Sequence, residues 1–153
     1  MRCLMQAAQI SGVLALAALM GCATPGALAP YNVSGDGISA PLTAATAAAP
    51  DGARGRALLI SRESNCILCH AAPETGERFF GNLGPPLSGV GTRLSAAQMR
   101  LRIVDPLFFN KESIMPAYYR VDGLNRVAET YRGMPVLNAA QIEDVIAYLL
   151  TLK

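Results

Sequence analysis

The clearest pattern of hydrophobic and polar positions lies near the carboxyl end of the chain. Apolar side chains recur there with helical spacing, at Ile142, Val145, Ile146, Leu149 and Leu150. This spacing places them on one face of an α-helix, where they would pack against a core. The residues Asn138–Gln141 have the form of a capping box, so we expect this last helix to begin directly after Asn138.

Two earlier segments also have helical signals. Asp51 can cap a first helix that runs to about Glu63, with apolar positions that include Ala57, Leu58 and Ile60. The capping box Ser95–Gln98 predicts a helix over 96–104, which ends before Pro106 because the residue before a proline avoids helical angles. Loops rich in glycine and proline separate these segments, and none has the alternation of a strand. We therefore predict an all-α fold of four or five short helices and loops.

The amino end reads as an export signal. An apolar run at 10–20 has the length of a signal peptide and is too short to span a bilayer. It ends in Leu19-Met20-Gly21-Cys22, which resembles a bacterial lipobox, in which the cysteine is lipidated. The alternative is cleavage after Ala29, in a small-x-small pattern. We expect a signal peptide at 1–22 and a periplasmic protein. If the lipobox is used, a lipid on Cys22 anchors the protein to the membrane.

Residues 23–50 are rich in Ala, Pro, Gly, Ser and Thr and lack a sustained apolar period. This composition predicts a flexible linker. The alternative is an extended arm that packs on the domain, for which Tyr31 and Ile38 are the bulky candidates. Residues 51–153 are expected to form one folded domain of ordinary size.

Composition excludes two classes of function. Of the 153 residues, 52% are hydrophobic, but the leader and an alanine-rich stretch inflate this share, so it does not indicate a membrane domain. The formal net charge is +2 and the basic residues are scattered, which argues against a nucleic-acid partner. Membrane contact is expected only through the lipid at Cys22.

The most informative motif is Cys66-Ile67-Leu68-Cys69-His70. C-x-x-C-H is the attachment signature of a c-type haem, in which each thiol adds to one haem vinyl group. The next residue supplies an imidazole to the iron, and His70 is the single histidine of the chain. We therefore predict one covalent haem c at Cys66 and Cys69, with His70 as an axial ligand. The alternatives for C-x-x-C are a redox disulfide and half of a zinc site.

Three methionines downstream are candidates for the sixth iron ligand. Methionine sulfur is a soft, neutral ligand that raises the reduction potential relative to a second histidine. Met99 lies inside a predicted helix and is expected in the core. Met115 and Met134 each precede a proline in an irregular segment. Met115 lies between two predicted helices, far enough along the chain from His70 for the backbone to pass around the haem. We therefore predict Met115 as the sixth iron ligand. Met134 and an open site remain the alternatives.

The sequence Gly84-Pro85-Pro86-Leu87 is a candidate for orienting the histidine. A histidine that binds metal usually donates its other ring N–H to a carbonyl, which fixes the ring. A rigid proline loop can hold such a carbonyl, and we assign this role to Pro85; the alternative is a plain turn. Other residues are expected in the haem pocket or the core, namely Phe79, Phe80, Leu83, Tyr118 and Tyr119.

Together these features resemble a class I monohaem cytochrome c. The matching parts are a first helix followed by C-x-x-C-H, a G-P-x-L loop, an M-P loop and a last helix containing Ala147-Tyr148-Leu149. The resemblance covers 51–153. In that family the first and last helices cross, which implies that Gly55 lies close to Tyr148.

A narrower resemblance is to the SoxX family, the monohaem subunits of the SoxAX thiosulfate-oxidising cytochromes. It rests on the runs Gly81–Gly91, Ser113–Arg120 and Tyr131–Leu149. Two features depart from that family. Met134 stands where a lysine-like residue is expected, and a lipobox is unexpected among soluble periplasmic proteins.

The SoxX resemblance implies a division of labour. In SoxAX, a cysteine-ligated haem of a monohaem or dihaem SoxA partner joins thiosulfate oxidatively to a cysteine of the carrier SoxYZ. SoxX accepts the electrons at a His/Met haem and passes them to a small soluble cytochrome c. The resemblance thus implies a non-catalytic redox subunit of an L-cysteine S-thiosulfotransferase, with no catalytic residue in this chain.

Other functions use the same residues or fewer of them. A free-standing electron shuttle would share every haem residue and would lack the partner surface, which is expected around the haem edge and in Asp122–Gly133. A thiol-disulfide oxidoreductase would carry no covalent haem. A gas-binding sensor would need an open sixth position.

Overall fold

The computed structural model describes residues 28–44 and 47–153. It contains four α-helices, α1 at Gly52–Ile60, α2 at Val90–Arg93, α3 at Ala96–Val104 and α4 at Ala139–Leu149. Short 3-10 turns lie at Cys66–Leu68, Pro73–Thr75, Pro106–Phe108 and Glu129–Tyr131. The β-pairing within the described ranges is one bridge between Ser34 and Gly37, so the all-α prediction is confirmed. The predicted signal peptide and lipobox lie outside these residues.

Capping residues set the helix starts where the sequence predicts them. The Ser95 hydroxyl accepts from the Gln98 amide at 3.2 Å, and the Gln98 side chain accepts from the Ser95 amide at 2.8 Å. Asn138 and Gln141 make the same reciprocal pair at 2.9 Å in both directions. These bonds satisfy backbone donors that the first turn of a helix leaves without partners. Helix α3 therefore has its predicted bounds, and α4 begins directly after Asn138.

The end of α1 differs from the prediction. The helix stops at Ile60 rather than near Glu63, and Ser61 has extended backbone angles. The Ser64 hydroxyl donates to the Leu58 carbonyl in the last turn of the helix, and this carbonyl also accepts from the Ser61 amide at 2.9 Å. Serine side chains compete in this way with helix continuation. The chain therefore leaves the helix three residues earlier and reaches the cysteine motif through a short turn.

Helices α1 and α4 pack at very close range. A Cβ atom at Gly55 would lie 1.9 Å from the Asp144 carbonyl oxygen and 3.0 Å from Cβ of Tyr148, so only glycine fits at the crossing. The predicted proximity of Gly55 and Tyr148 is confirmed. The predicted apolar face of α4 is buried against this core, at Ile142, Val145, Ile146 and Leu149, while Leu150 is half-buried.

An ion pair reinforces this crossing. Arg54 Nε donates to Asp144 Oδ2 at 2.7 Å, and the Asp51 amide donates to Asp144 Oδ1 at 2.7 Å. Burial alone would raise the pKa of Asp144, but these hydrogen bonds outweigh it and hold the pKa below its ordinary value. The carboxylate is therefore charged in the folded protein and links the start of α1 to α4.

Part of the segment expected to be a flexible linker packs on the domain as an arm. The side chains of Ile38 and Leu42 are 1% and 4% exposed. Arg100 Nη1 donates to the Ile38 carbonyl at 2.5 Å, and the Leu42 amide donates to Glu143 Oε1 at 2.9 Å. Arg100 and Glu143 also form a buried two-point ion pair at 2.7 and 2.8 Å. The packed-arm alternative therefore describes this stretch, because a buried ion pair holds its backbone.

Candidate haem site

The cysteine motif forms a tight turn that presents the histidine. Cys66–Leu68 is a 3-10 turn, and the His70 amide donates to the Cys66 carbonyl at 3.0 Å. His70 Nδ1 lies 2.7 Å from the Pro85 carbonyl oxygen, the contact expected from the sequence. A carbonyl can only accept, so Nδ1 carries the proton and the Nε2 lone pair is available to a metal.

The loop Gly81–Leu87 runs along the cysteine motif and fixes the histidine ring. The Gly81 amide donates to the Ile67 carbonyl at 2.9 Å, and the Gly84 amide donates to the Cys69 carbonyl at 2.8 Å. A Cβ atom at Gly84 would lie 2.4 Å from Cε1 of His70, so the ring rests directly on the glycine backbone. Backbone bonds and this close approach together hold the imidazole in one orientation.

A cavity of about 730 Å³ opens in front of this histidine. Its wall contains Cys66, Cys69, His70, Pro85 and Met115, so the structure brings all five predicted site residues to one cavity. Most of the remaining wall is apolar, and the volume is in the range of about 300–1,000 Å³ that is usual for cofactor sites. Two thiols, an imidazole nitrogen and a thioether sulfur on an apolar wall fit the predicted haem c.

The three methionines differ in their access to this cavity. Met115 is half-buried and lines it. Met99 also lines it but is 2% exposed and belongs to the core of α3, as expected. Met134 is 57% exposed and is not part of the wall. The geometry thus favours Met115 over Met134, and the sixth ligand itself stays a prediction.

Both cysteines of the motif lie at the cavity wall, and no disulfide bond joins them. Burial raises the pKa of the Cys66 thiol above its ordinary value of 9.0. Within the described residues no group of three or more His, Cys, Asp or Glu side chains could hold a metal ion. The described part of the chain therefore offers no cluster that would complete a zinc site.

The aromatic residues assigned to the pocket or core divide into three groups. Tyr118 is 7% exposed and lines the cavity, and its hydroxyl donates to the Ser64 carbonyl at 2.6 Å. Tyr119 is buried but faces the arm, where its hydroxyl accepts from the Ala29 amide at 2.7 Å. Phe79 is 88% exposed, so its assignment was wrong.

Phe79 lies outside the pocket because the backbone between it and the cysteine motif leaves no room. A Cβ atom at Gly81 would lie 1.8 Å from the Leu68 carbonyl oxygen, so the chain already lies against the motif there. Phe80 is half-buried against the core, and Leu83 lines the cavity although it is 69% exposed.

Sequence reasoning missed two arginines of the cavity wall, Arg93 and Arg102. It also missed the bond from Tyr118 to Ser64. Arg93 and Arg102 lie on α2 and α3, in sequences without a binding motif, and no spacing rule marks them. Their position at the cavity depends on how distant loops fold around it, and no local pattern in the sequence encodes that arrangement.

Comparisons with known proteins agree with this geometry. A family model described as Cytochrome c matches residues 52–153. The chain is also similar to a solved chain from the crystal structure of SoxXA from P. pantotrophus, with 32% identity and a TM-score of 0.71. That similarity covers 80% of this chain and 94% of that chain. No curated protein matches the chain. The range 52–153 contains every residue of the cavity wall.

Proposed function

Because the chain belongs to the cytochrome c family and is SoxX-like, we propose that it is the electron-accepting subunit of a SoxAX-type enzyme of thiosulfate oxidation. A similarity over 94% of a chain from SoxXA carries this proposal. In it, a SoxA-like cytochrome performs the sulfur chemistry on a SoxYZ-like carrier. This chain then passes the electrons to a small soluble cytochrome c.

The cavity residues suit a one-electron carrier. The covalently bound haem c supplies the couple between ferric and ferrous iron. Pro85 accepts the ring N–H of His70 and thereby fixes the imidazole plane and raises its basicity. Met115 would offer a neutral sulfur from the opposite loop, which favours the ferrous state. The apolar residues of the wall would exclude water from a bound haem.

Exposed apolar residues border the cavity and provide a docking surface for the SoxA-like subunit. Leu68, between the two cysteines, is 63% exposed, and the wall residues Leu83 and Ile114 are 69% and 73% exposed. Electron transfer requires two cofactors to approach closely, so a partner surface next to the haem is expected to be apolar and well packed. These three residues form the docking surface that we propose for the SoxA-like subunit.

Native purification from the envelope fraction tests the proposal, with the covalent-haem proteins that co-purify identified by mass. A stable complex with a cytochrome that carries a cysteine-ligated haem is the expected result. A monohaem protein that purifies alone would instead favour the free-standing shuttle. The variant Ile114→Ser should weaken the complex, whereas Val33→Ser, at an exposed residue of the arm, should not.

We also propose that the protein is exported to the periplasm and processed at Cys22 rather than after Ala29. Packing of the arm supports this choice. Leu28 packs against the core cluster, and the Ala29 amide donates to the Tyr119 hydroxyl. Cleavage after Ala29 would remove both contacts. The mass of the mature amino-terminal peptide tests the choice, because a lipid-modified Cys22 peptide is expected and an unmodified peptide that begins at Pro30 would refute it.

A further inference from the structure

The loop that carries Met115 is held by hydrogen bonds to residues close to it in the sequence. We call residues 110–116 the Met115 loop. The Ser113 amide donates to the Asn110 carbonyl at 3.0 Å, and the Met115 amide donates to Ser113 Oγ at 3.2 Å. Among the hydrogen bonds of the described residues, those of this loop run no further along the chain than Pro106. A segment with only local bonds is one that opens before the rest of a domain unfolds.

Tyr118 anchors the chain shortly after this loop. Its amide donates to the Ile103 carbonyl at 3.1 Å and its carbonyl accepts from the Leu137 amide at 3.0 Å, which fixes the backbone to α3 and to the loop before α4. The side chain is 7% exposed, and its hydroxyl donates to the Ser64 carbonyl at 2.6 Å. Burial raises the pKa of this hydroxyl above its ordinary value of 10.0, so the group keeps its proton at neutral pH. The hydroxyl bond therefore ties the end of the Met115 loop to the segment before the cysteine motif.

The Ser64 carbonyl is a rigid acceptor for this bond. The Ser64 hydroxyl donates to the Leu58 carbonyl in α1, and the Asn65 amide donates to the Ser61 carbonyl at 2.9 Å. Asn65 lines the cavity and has φ 49° and ψ 39°, in the left-handed region of the backbone. A residue other than glycine stays in that region where its surroundings hold it. The peptide unit between Ser64 and Asn65 is therefore fixed to the end of α1, directly before the first cysteine of the motif.

We propose that Tyr118 is a positioning residue whose hydrogen bond to Ser64 holds the Met115 loop closed over the haem cavity. Three positions separate Met115 from Tyr118, so their Cα atoms lie within about 11 Å of each other. Both residues line the cavity, as does Cys66, two residues after Ser64. In the closed loop the Met115 sulfur is available to the iron, and in the open loop the sixth position is free for an external ligand. The proposal rests on the haem c and on Met115 as its ligand, and it is independent of the SoxA-like partner.

Loss of this hydrogen bond should favour the open loop. In Tyr118→Phe the backbone bonds of the residue remain, but the Ser64 carbonyl loses its donor while the loop is closed. Opening hydrates that carbonyl, so the substitution removes stabilisation from the closed form only. We expect the open fraction to rise roughly tenfold. A ligand that binds only the open form then has an apparent Kd that is lower by the same factor.

The test is an imidazole titration of the purified ferric holoprotein. Displacement of a methionine ligand by imidazole is measured as loss of the methionine-to-ferric-haem charge-transfer band. Tyr118→Phe should lower the apparent Kd for imidazole roughly tenfold and keep the band when imidazole is absent. Tyr119→Phe is the matched control, because that neighbouring hydroxyl accepts from the Ala29 amide and lies outside the cavity wall. Ser64→Ala is a second control, because it removes the hydroxyl bond to α1 but keeps the carbonyl that accepts from Tyr118.

Both controls should bind imidazole with the wild-type Kd, and three results would overturn the proposal. The first is a wild-type Kd for Tyr118→Phe. The second is an equal decrease in Kd for all three variants, because this would reflect a general loss of stability rather than the opening of one loop. The third is a wild-type protein without the charge-transfer band, because Met115 would then not be the ligand. None of these measurements involves a partner protein, so failure here leaves the proposed complex untouched.

Discussion

Substitution of Gly55 tests whether the close crossing of α1 and α4 holds the domain together. In Gly55→Ala the new Cβ would lie 1.9 Å from the Asp144 carbonyl oxygen, and carbon–oxygen contacts below 3.0 Å essentially do not occur. The helices would have to separate by about 1 Å, because the opposing atom belongs to the backbone and cannot rotate away. A gap of that size forfeits a quarter to a half of the dispersion energy of each contact across it.

The magnitude follows from two opposing effects. Overpacking costs about 1–3 kcal/mol, and more where no side chain can yield. Alanine regains about 0.5–1 kcal/mol over glycine inside a helix. Because the opposing atom is backbone, we take the upper end of the overpacking cost and expect a net loss of about 2 kcal/mol or more in the free energy of unfolding. For a domain of about 100 residues this corresponds to a decrease in Tm of roughly 8 °C or more.

The control lies three residues away in the same helix. In Gly52→Ala the new Cβ would lie 3.6 Å from Cα of Tyr148, an ordinary contact, so we expect stability within about 1 kcal/mol of the wild type. The holoproteins are unfolded in guanidinium chloride, and the unfolding is followed by far-ultraviolet circular dichroism. A shift in the denaturation midpoint without a change in the m-value then measures the change in stability. Equal stability of Gly55→Ala and wild type, or equal destabilisation by both alanines, would refute the steric argument.

Three further outcomes are expected. Met115→Ala should abolish the methionine-to-ferric-haem charge-transfer band and Met134→Ala should keep it; the reverse result would reject the ligand assignment. Tyr118→Phe should lower the free energy of unfolding by about 1–3 kcal/mol, because a buried carbonyl loses its donor, and unchanged unfolding would show that the bond contributes nothing. The lowered pKa of Asp144 adds stability that is present above its unfolded pKa of about 4 and is lost as pH falls through the folded value. Asp144→Asn should therefore be less stable at pH 7 and lose less on acidification, and parallel pH profiles of the two proteins would contradict this.

Features of the fold that depend on residues close together in the sequence could be predicted. The capping boxes at Ser95 and Asn138 and the apolar spacing of α4 are such local signals, and α3 and α4 begin directly after these two capping residues. The end of α1 depends on the Ser64 hydroxyl reaching back to a carbonyl, which competes with helical periodicity without leaving a pattern. The packed arm depends on Arg100 and Glu143, which are distant from it in sequence, so its composition alone suggested a linker.

The site divides in the same way. C-x-x-C-H and the proline loop could be recognised because covalent attachment and the orientation of His70 impose fixed residue types on short segments. The bond from Tyr118 to Ser64 joins residues 54 positions apart. It ties the segment after Met115 to the segment before Cys66, and neither sequence contains a signal for the other. Phe79 shows the opposite error, since an aromatic residue near the motif suggested a pocket wall but lies in solvent.

The cavity wall and the hydrophobic core share residues, which links stability to the redox site. Leu59, Val145 and Leu149 come from the crossing helices α1 and α4, and each belongs to both the core cluster and the wall. Met99 and Leu137 do so from α3 and the loop before α4. A haem bound in this cavity would therefore extend the core that the helix crossing begins. A change that separates α1 from α4, such as Gly55→Ala, should consequently disturb the haem environment as well as the unfolding free energy.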